Sequence, residues 1–179
     1  PRGNACGGQG VNTEGGRLVE GHPKARGVKC VFGETTTHVI VNDHNHVKSV
    51  VVDKGTEYPV GAGGAAIGRN MNLRCVAPSN VKTGEGILCN EFLQTSVPNV
   101  YSAGDCSQYF DRLLNRVNIN GSWASAKKQG EVAAQNMLKG PTVPFEHVDF
   151  YSIDHFDKPV MSVGNILGDE ILEAVCAEG

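Results

Sequence analysis

The most specific pattern of chemically capable residues is the segment Glu91–Asp105, EFLQTSVPNVYSAGD. Thr95 precedes a turn that contains Pro98, and a short apolar run then ends in Gly104-Asp105. If that run is a strand entering a ligand cleft, its end lies at the ligand. Glycine lets the main chain approach closely, and the Asp105 carboxylate can accept a charge-assisted hydrogen bond from a ligand hydroxyl. A strand followed by an ordinary Gly-Asp turn is the simpler interpretation, but the whole ordered string disfavours it.

A second capable feature follows at Asn118–Ala124, NINGSWA, where a helix is expected to begin. Residues 123–138 combine good helix formers with apolar residues on one face, and Gly140-Pro141 stops the pattern. The free amides and positive dipole end of a helix N-terminus suit an electron-rich ligand group. An N-capped amphipathic helix with a packing tryptophan explains the same residues without a ligand, and both descriptions can hold at once.

In this order the two segments resemble the second FAD fingerprint of the two-dinucleotide-domain flavoproteins and the helix that follows it in ferredoxin-reductase-like enzymes and relatives of apoptosis-inducing factor. Residues 143–164, from VPFEHVDFYS to MSVG, are similar to the family's connection between the FAD domain and the C-terminal interface domain. Residues 27–60 resemble the late part of its NAD-binding domain, and Gly61-Ala62-Gly63 its glycine loop near the nicotinamide. The resemblance covers most of the chain from residue 27 and is most specific over residues 86–164.

The resemblance implies FAD and NAD(P)H as cofactors, and it implies cofactor contacts from five short segments. These contribute Thr95, Ala103, Gly104, Asp105, Ser122, Trp123, Ala124, Tyr151, Gly61 and Gly63. Asp105 would accept a hydrogen bond from a ribityl hydroxyl, and Ser122–Ala124 would lie beside the isoalloxazine. Tyr151 would lie near the flavin, although a core or dimer-interface aromatic residue is an open alternative. The resemblance implies no nucleophile and no metal ligand.

The glycine loop has a competing interpretation. Gly61-x-Gly63-x-x-Ala66 fits the G-x-G-x-x-G/A dinucleotide fingerprint. That fingerprint needs a strong preceding strand, and the residues before Gly61 are few and include Pro59. It also needs an acidic residue at a strand end ~20 positions later, whereas Glu85 lies in a glycine-flanked turn. The flavoprotein resemblance is therefore preferred.

The helices and strands that must position these residues indicate an α/β chain with an antiparallel β-meander. On the resemblance, this is an incomplete FAD/NAD(P)-binding reductase fold. Short β-branched runs separated by Asn, Asp and Gly predict strands over 28–33, 37–42, 47–52 and 56–60. Further strands are expected over 86–90 and 99–103. The domains expected are an irregular segment (1–26), a remnant of the NAD-binding domain (27–84), the C-terminal part of the FAD domain (85–142) and the start of the interface domain (143–179).

Composition excludes several other classes. The chain has 179 residues, 40% of them apolar and 20% charged, and a net charge of −3, as in ordinary soluble globular proteins. Nothing clusters Lys and Arg as nucleic acid or an anionic membrane would require. No apolar run approaches the ~20 residues that span a bilayer, and no signal peptide is visible. We therefore expect an intracellular protein, cytoplasmic or mitochondrial.

Six cysteines are present, and none forms a C-x-x-C pair. This disfavours a zinc ribbon, a thioredoxin-type motif and the disulfide-reducing branch of the family, and we expect reduced, mostly structural thiols. His44-x-His46 lies in the polar run NDHNH. A solvated hairpin tip is the preferred interpretation, because no further ligand completes a metal site.

The family's two glycine fingerprints, for the FAD pyrophosphate and for NAD, do not appear before residue 61. Since the remote part of a ligand supplies much of its affinity, these 179 residues alone are expected to bind FAD weakly or not at all. The function hypothesis is an FAD-dependent NAD(P)H oxidoreductase, present here as a partial chain, with an electron-acceptor protein or a larger complex as partner. The alternative is a degenerate, non-catalytic relative that serves as a structural or interaction subunit.

Overall fold

The computed structural model describes residues 13–155 and 158–164. They form two compact units, one from the described residues of Pro1–Gly68 and Phe150–Gly179 and the other from Arg69–Asp149. The described residues combine helices with three small sheets, one of them a three-stranded meander. The α/β class and the antiparallel meander are therefore confirmed. Within the described part of the chain, no helix has the length and apolar character needed to cross a membrane.

The first unit begins with helix α1, Thr13–Ala25. The irregular segment expected over residues 1–26 is therefore wrong for these positions, while the part before Thr13 lies outside the described residues. Gly16, Val19 and Pro23 are buried at the spacing of one helix face. Two of these three buried residues are glycine and proline, which are poor helix formers. The sequence pattern therefore gave no indication of a helix here.

Helix α1 ends in a left-handed glycine cap. Gly27 has φ +82° and donates its N–H to the Lys24 carbonyl, while Val28 donates to the Pro23 carbonyl. This pair of bonds is the Schellman motif. The strand predicted over residues 28–33 is wrong, because Val28 belongs to the helix cap and the residues after it form no strand.

The other described elements of the first unit are the meander and a separate pair of strands. The meander has the antiparallel order β1-β2-β3, with β1 (Thr36–Val41), β2 (Val47–Val52) and β3 (Glu57–Pro59). At the first turn, Asn42 Oδ1 accepts bonds from the N–H groups of His44 and His46 at 2.9 and 3.0 Å, so NDHNH is a hairpin turn. Strands β7 (Phe150–His155) and β8 (Lys158–Val163) pair antiparallel.

The second unit packs one long helix on a mixed sheet. Its elements are β4 (Ile87–Cys89), β5 (Ser107–Asp111), β6 (Arg116–Ile119) and α2 (Trp123–Lys139). Strand β5 pairs parallel with β4 and antiparallel with β6. The core between helix, sheet and loops contains Leu93, Tyr109, Val132, Ala133 and Phe145. Helix α2 matches the predicted helix to within one residue.

The strand predicted over residues 99–103 is wrong. Tyr101 makes only an isolated bridge to Gln94, and Ser102 donates its N–H to the Leu93 carbonyl at 3.1 Å. These main-chain groups are satisfied inside a loop, so no extended ladder forms. Consequently Gly104-Asp105 lies in the turn that precedes β5, and not at the end of a strand.

The domain boundaries proposed from the sequence describe family domains, whereas the compact units divide after Gly68 and after Asp149. The assignment of residues 27–84, 85–142 and 143–179 to those domains stays a prediction.

Candidate functional site

The Gly-Asp turn, residues 102–107, requires glycine at one position because of its backbone. Gly104 has φ +90°, a conformation that side-chain-bearing residues rarely adopt. A Cβ there would touch only the Ala126 Cβ, at 3.9 Å. Ser107 closes the turn by donating its N–H to the Gly104 carbonyl at 2.9 Å. The Asp105 side chain is exposed, so its carboxylate is available to a ligand.

The N-terminal end of α2 is capped by Ser122, whose Oγ accepts the Ser125 N–H at 3.1 Å. The first turn of the helix itself holds no acidic residue, although the Asp149 carboxylate lies 3.3 Å from the Ser122 hydroxyl just before it. The N–H groups of Trp123 and Ala124 have no acceptor inside the helix. Trp123 is 84% exposed. This helix end therefore offers main-chain donors next to a large open aromatic surface.

A buried amide joins the turn to the helix. Gln129 on α2 accepts the Gly104 N–H at its Oε1 (2.8 Å) and donates from Nε2 to Ser125 Oγ (3.1 Å). Because Ser125 is also bonded to the cap residue Ser122, one chain of hydrogen bonds runs from the helix cap to the turn. The two parts of the site are therefore held together by the fold.

Arg69 supplies a positive charge at the same place. Its Nη1 lies 3.8 Å from Asp105 Oδ2, and both side chains are exposed. A Cβ added at Gly121 would overlap the Arg69 guanidinium, so the glycine before the cap leaves room for this side chain. An exposed ion pair contributes little stability, and Asp105 therefore remains free to exchange Arg69 for a ligand group.

Asp149 supports the loop that leads into α2. Its carboxylate accepts bonds from the Asn120 side-chain amide and from Ser122 Oγ, the latter at 3.3 Å. His147 Nε2 lies 3.3 Å from Asp149 Oδ1 but makes no hydrogen bond in good geometry with any described residue. Burial raises the pKa of Asp149, and the nearby His147 and the Ser122 bond counteract this in part. These contacts fix the cap residue.

The structure places the other predicted site residues as follows. Thr95 is buried, and its hydroxyl exchanges 3.2 Å hydrogen bonds with the main chain of Val97, so its side chain holds the loop. Ala103 packs on the core. Tyr151 lies half-buried on β7 and belongs to the first unit, as do Gly61 and Gly63.

The competing dinucleotide interpretation of Gly61-x-Gly63-x-x-Ala66 is wrong. Residues 60–73 form neither helix nor strand, and both glycines are exposed with open space at their Cβ positions. A phosphate-binding turn of that type needs a helix N-terminus after it. The assignment of Gly61 and Gly63 to the nicotinamide side stays a prediction.

Three residues at the site were not among the predicted contacts: Arg69, Gly121 and Gln129. Only Gln129 left a signal in the sequence, since it lies on the apolar face of the predicted helix, where a polar residue needs a partner. Arg69 is distant in sequence from the turn, and no local pattern could bring it there.

The thiols of the Arg69–Asp149 unit differ in accessibility. Cys75, Cys89 and Cys106 carry free thiols. Cys75 is exposed, whereas Cys89 is half-buried and burial raises its pKa despite hydrogen bonds from Ser107 and Ser102. The thiolate is the reactive form. In the folded chain at mildly alkaline pH, iodoacetamide is therefore expected to modify Cys75 well before Cys89, as measured by peptide mass mapping.

The denatured chain is the control for this labelling experiment, since both thiols should then react at similar rates. Equal rates in the folded chain would contradict the burial of Cys89.

A family model described as pyridine nucleotide-disulphide oxidoreductase matches residues 2–130. The chain belongs to this family. It is 28% identical over 121 positions to an NADH oxidase of Methanocaldococcus jannaschii, and this match covers 67% of the chain and 26% of that relative. It is 27% identical over 115 positions to putidaredoxin reductase CamA of Pseudomonas putida, covering 62% of the chain and 27% of the relative.

Solved structures of family members share the fold. The ferredoxin reductase for the CYP199A2 system from Rhodopseudomonas palustris superposes with a TM-score of 0.81 at 20% identity, over 89% of this chain and 39% of that one. The covalent putidaredoxin reductase–putidaredoxin complex gives 0.76 at 24% identity, over 86% and 37%. The FAD/NAD(P)-binding reductase fold is thus confirmed. The chain spans about a quarter of the length of the first curated relative.

Proposed function

We propose that the chain forms the flavin-side part of an FAD-dependent NAD(P)H oxidoreductase, in which electrons pass from NAD(P)H through FAD to an acceptor. One observation supports the proposal above all. A chain of hydrogen bonds connects the turn that carries the exposed Asp105 to the N-terminal end of α2. Members of the family are FAD-dependent NAD(P)H oxidoreductases.

The residues present fit the ribityl and ring portions of FAD. Gly104 allows close approach of the main chain, and the exposed Asp105 carboxylate can accept a bond from a ribityl hydroxyl. The N–H groups of Trp123 and Ala124 can donate to a pyrimidine carbonyl, and the apolar face of Trp123 leaves surface for a flat ring. The first turn of α2 itself holds no acidic side chain, and the Asp149 carboxylate near the cap is engaged by Asn120 and Ser122.

FAD would supply the redox chemistry, accepting a hydride from NAD(P)H and passing electrons onward. The chain's own residues would bind and orient it. Asp105 would fix the ribityl chain. The positive end of α2 would favour electron density on the part of the ring that faces it.

The remaining assignments extend the same proposal. Gly61 and Gly63 are proposed on the NAD(P)H side, and Tyr151 near the flavin, on the family resemblance alone. An electron-acceptor protein is proposed as the partner, because one similar structure is a complex of putidaredoxin reductase with putidaredoxin.

A comparison of riboflavin with FAD tests the proposal. Because the proposed contacts lie at the ribityl chain and the ring, riboflavin is expected to bind the purified 179-residue chain within about tenfold of the affinity of FAD, a difference below about 1.4 kcal/mol. Fluorescence-quenching titrations with each compound measure both affinities, and ADP should not compete with either.

Two results would contradict the proposal. Binding of neither flavin would favour the alternative of a non-catalytic structural or interaction subunit. A chain that purifies with stoichiometric FAD but hardly binds riboflavin would place the main contacts at the ADP end instead.

A further inference from the structure

We infer that Gln129 is a positioning residue, which sets the Gly104-Asp105 turn against the N-terminal end of α2. Its relevance to flavin binding rests on the proposed function. Gln129 itself touches no proposed flavin atom. It acts through the main chain of Gly104 and the side chain of Ser125.

The side-chain contacts of Gln129 connect the Gly-Asp turn to helix α2. Its side chain is 0% exposed, and both ends of the amide are used, with Oε1 on the Gly104 N–H and Nε2 on Ser125 Oγ. A buried amide without partners is costly, and so is a buried N–H without an acceptor. Turn and helix therefore have one favourable arrangement, in which all of these groups are paired.

The turn has few other restraints on the side that faces α2. Across the turn, Ser107 donates to the Gly104 carbonyl at 2.9 Å. Asp105 is exposed, and its pairing with Arg69 spans 3.8 Å. Among the described residues, the part-buried bond from Gly104 to Gln129 is thus the hydrogen bond that joins the turn to the helix. Its loss should let the turn move away from the helix end.

Asn136 offers a matched comparison on the same helix, about two turns further on. It is also 0% exposed. Its amide donates to the Phe92 and Val143 carbonyls at 2.9 and 2.8 Å and accepts the N–H groups of Thr142 and Val143 at 3.1 and 2.9 Å. Asn136 therefore holds loops together by the same chemistry, but it does not contact the Gly-Asp turn.

Amide hydrogen exchange on the flavin-free chain tests the positioning directly. The variants are Gln129→Met, which keeps the side-chain length but removes the acceptor, and Asn136→Leu. The readout is the exchange rate of the Gly104 amide relative to that of Ser102, whose N–H bonds the Leu93 carbonyl in the adjoining loop. We expect this ratio to rise about tenfold, equivalent to about 1.4 kcal/mol, in Gln129→Met and to stay unchanged in Asn136→Leu.

Gln129→Glu provides the conservative rescue. A carboxyl at this position still accepts the Gly104 N–H, although a buried acid lowers the stability of the fold. The Gly104 to Ser102 ratio is therefore expected to remain near that of the wild type even if the melting temperature falls. A ratio that follows the melting temperature across all three variants would show that Gln129 is only a core residue.

Riboflavin affinity, measured well below every melting temperature, supplies the second readout. We expect about tenfold weaker binding for Gln129→Met and no change for Asn136→Leu. An unchanged exchange ratio in Gln129→Met would overturn the inference, as would equal affinities for the two variants. If the wild type binds no flavin while the exchange ratio still responds, the proposed function fails and the positioning of the turn stands.

Discussion

Replacing Asp105 with alanine is expected to weaken flavin binding by about 10- to 150-fold. The substitution removes a charged acceptor and leaves a ribityl hydroxyl without its partner, which costs roughly 1.5–3 kcal/mol. Since Asp105 is exposed at a turn, no core position is emptied. Titration of riboflavin by fluorescence quenching against the variant and the wild type measures the change.

The fold should tolerate the same substitution. The ion pair from Arg69 to Asp105 is exposed and long at 3.8 Å, and such pairs contribute little. Glu85→Ala is the matched control, because it removes another exposed carboxylate from the same unit and should leave both affinity and stability unchanged. Equal affinities for the two variants, or a large loss of melting temperature in Asp105→Ala, would mean that Gly104-Asp105 is only a structural turn.

The sequence predicted those elements whose signals are local. The β1–β2 turn depends on Asn42, whose side chain bonds the main chain two and four residues on, and such Asx turns are encoded in a few neighbouring residues. Helix α2 likewise carries its own cap at Ser122 and its own stop at Gly140, φ +79°. The sequence signals for both are local, although Asp149 adds a long-range bond to Ser122 in the folded chain.

Strand β5 was missed because its buried face is mostly polar. Strand β5 buries Ser107, Tyr109 and Asp111 on one face, and two of these are polar, so the alternation carries no apolar signal. Asp111 is accommodated because its carboxylate accepts bonds from the Leu113 and Leu114 N–H groups and from the Asn118 side chain. A sequence pattern shows the polar residue but not the partners that allow its burial.

In the candidate site, some residues are marked by short local strings and others come close only in the folded chain. Asp105 and Ser122 could be proposed from the sequence because the resemblance rests on short contiguous strings, and the structure places both in the Arg69–Asp149 unit. Arg69 lies 36 positions before Asp105 in the sequence, and Gln129 lies 25 positions after Gly104. Only the folded chain brings these groups together. Gly121 shows the same limit, since the group that lies over it is the Arg69 guanidinium, which no neighbouring residue in the sequence indicates.

The core that supports this site depends on Phe145. Its ring is 2% exposed and meets Tyr109 edge-on, with centroids 4.9 Å apart and an interplanar angle of 88°. Its N–H donates to the Glu91 carbonyl at 2.7 Å. Phe145 shares the core with Val132 and Ala133 of α2, so it helps to hold on the sheet the helix whose N-terminal end is proposed to face the flavin.

Phe145→Ala is therefore expected to lower the free energy of unfolding by about 3–5 kcal/mol, through lost burial and the cavity left beside Tyr109. Urea unfolding followed by far-UV circular dichroism is the suitable measurement, because the single tryptophan, Trp123, is exposed and would report poorly on the core. Leu138→Ala is the control, since Leu138 lies on α2 at 86% exposure and should change stability by no more than about 0.5 kcal/mol. Similar losses for the two variants would contradict the core described for this unit, and with it the anchoring of α2.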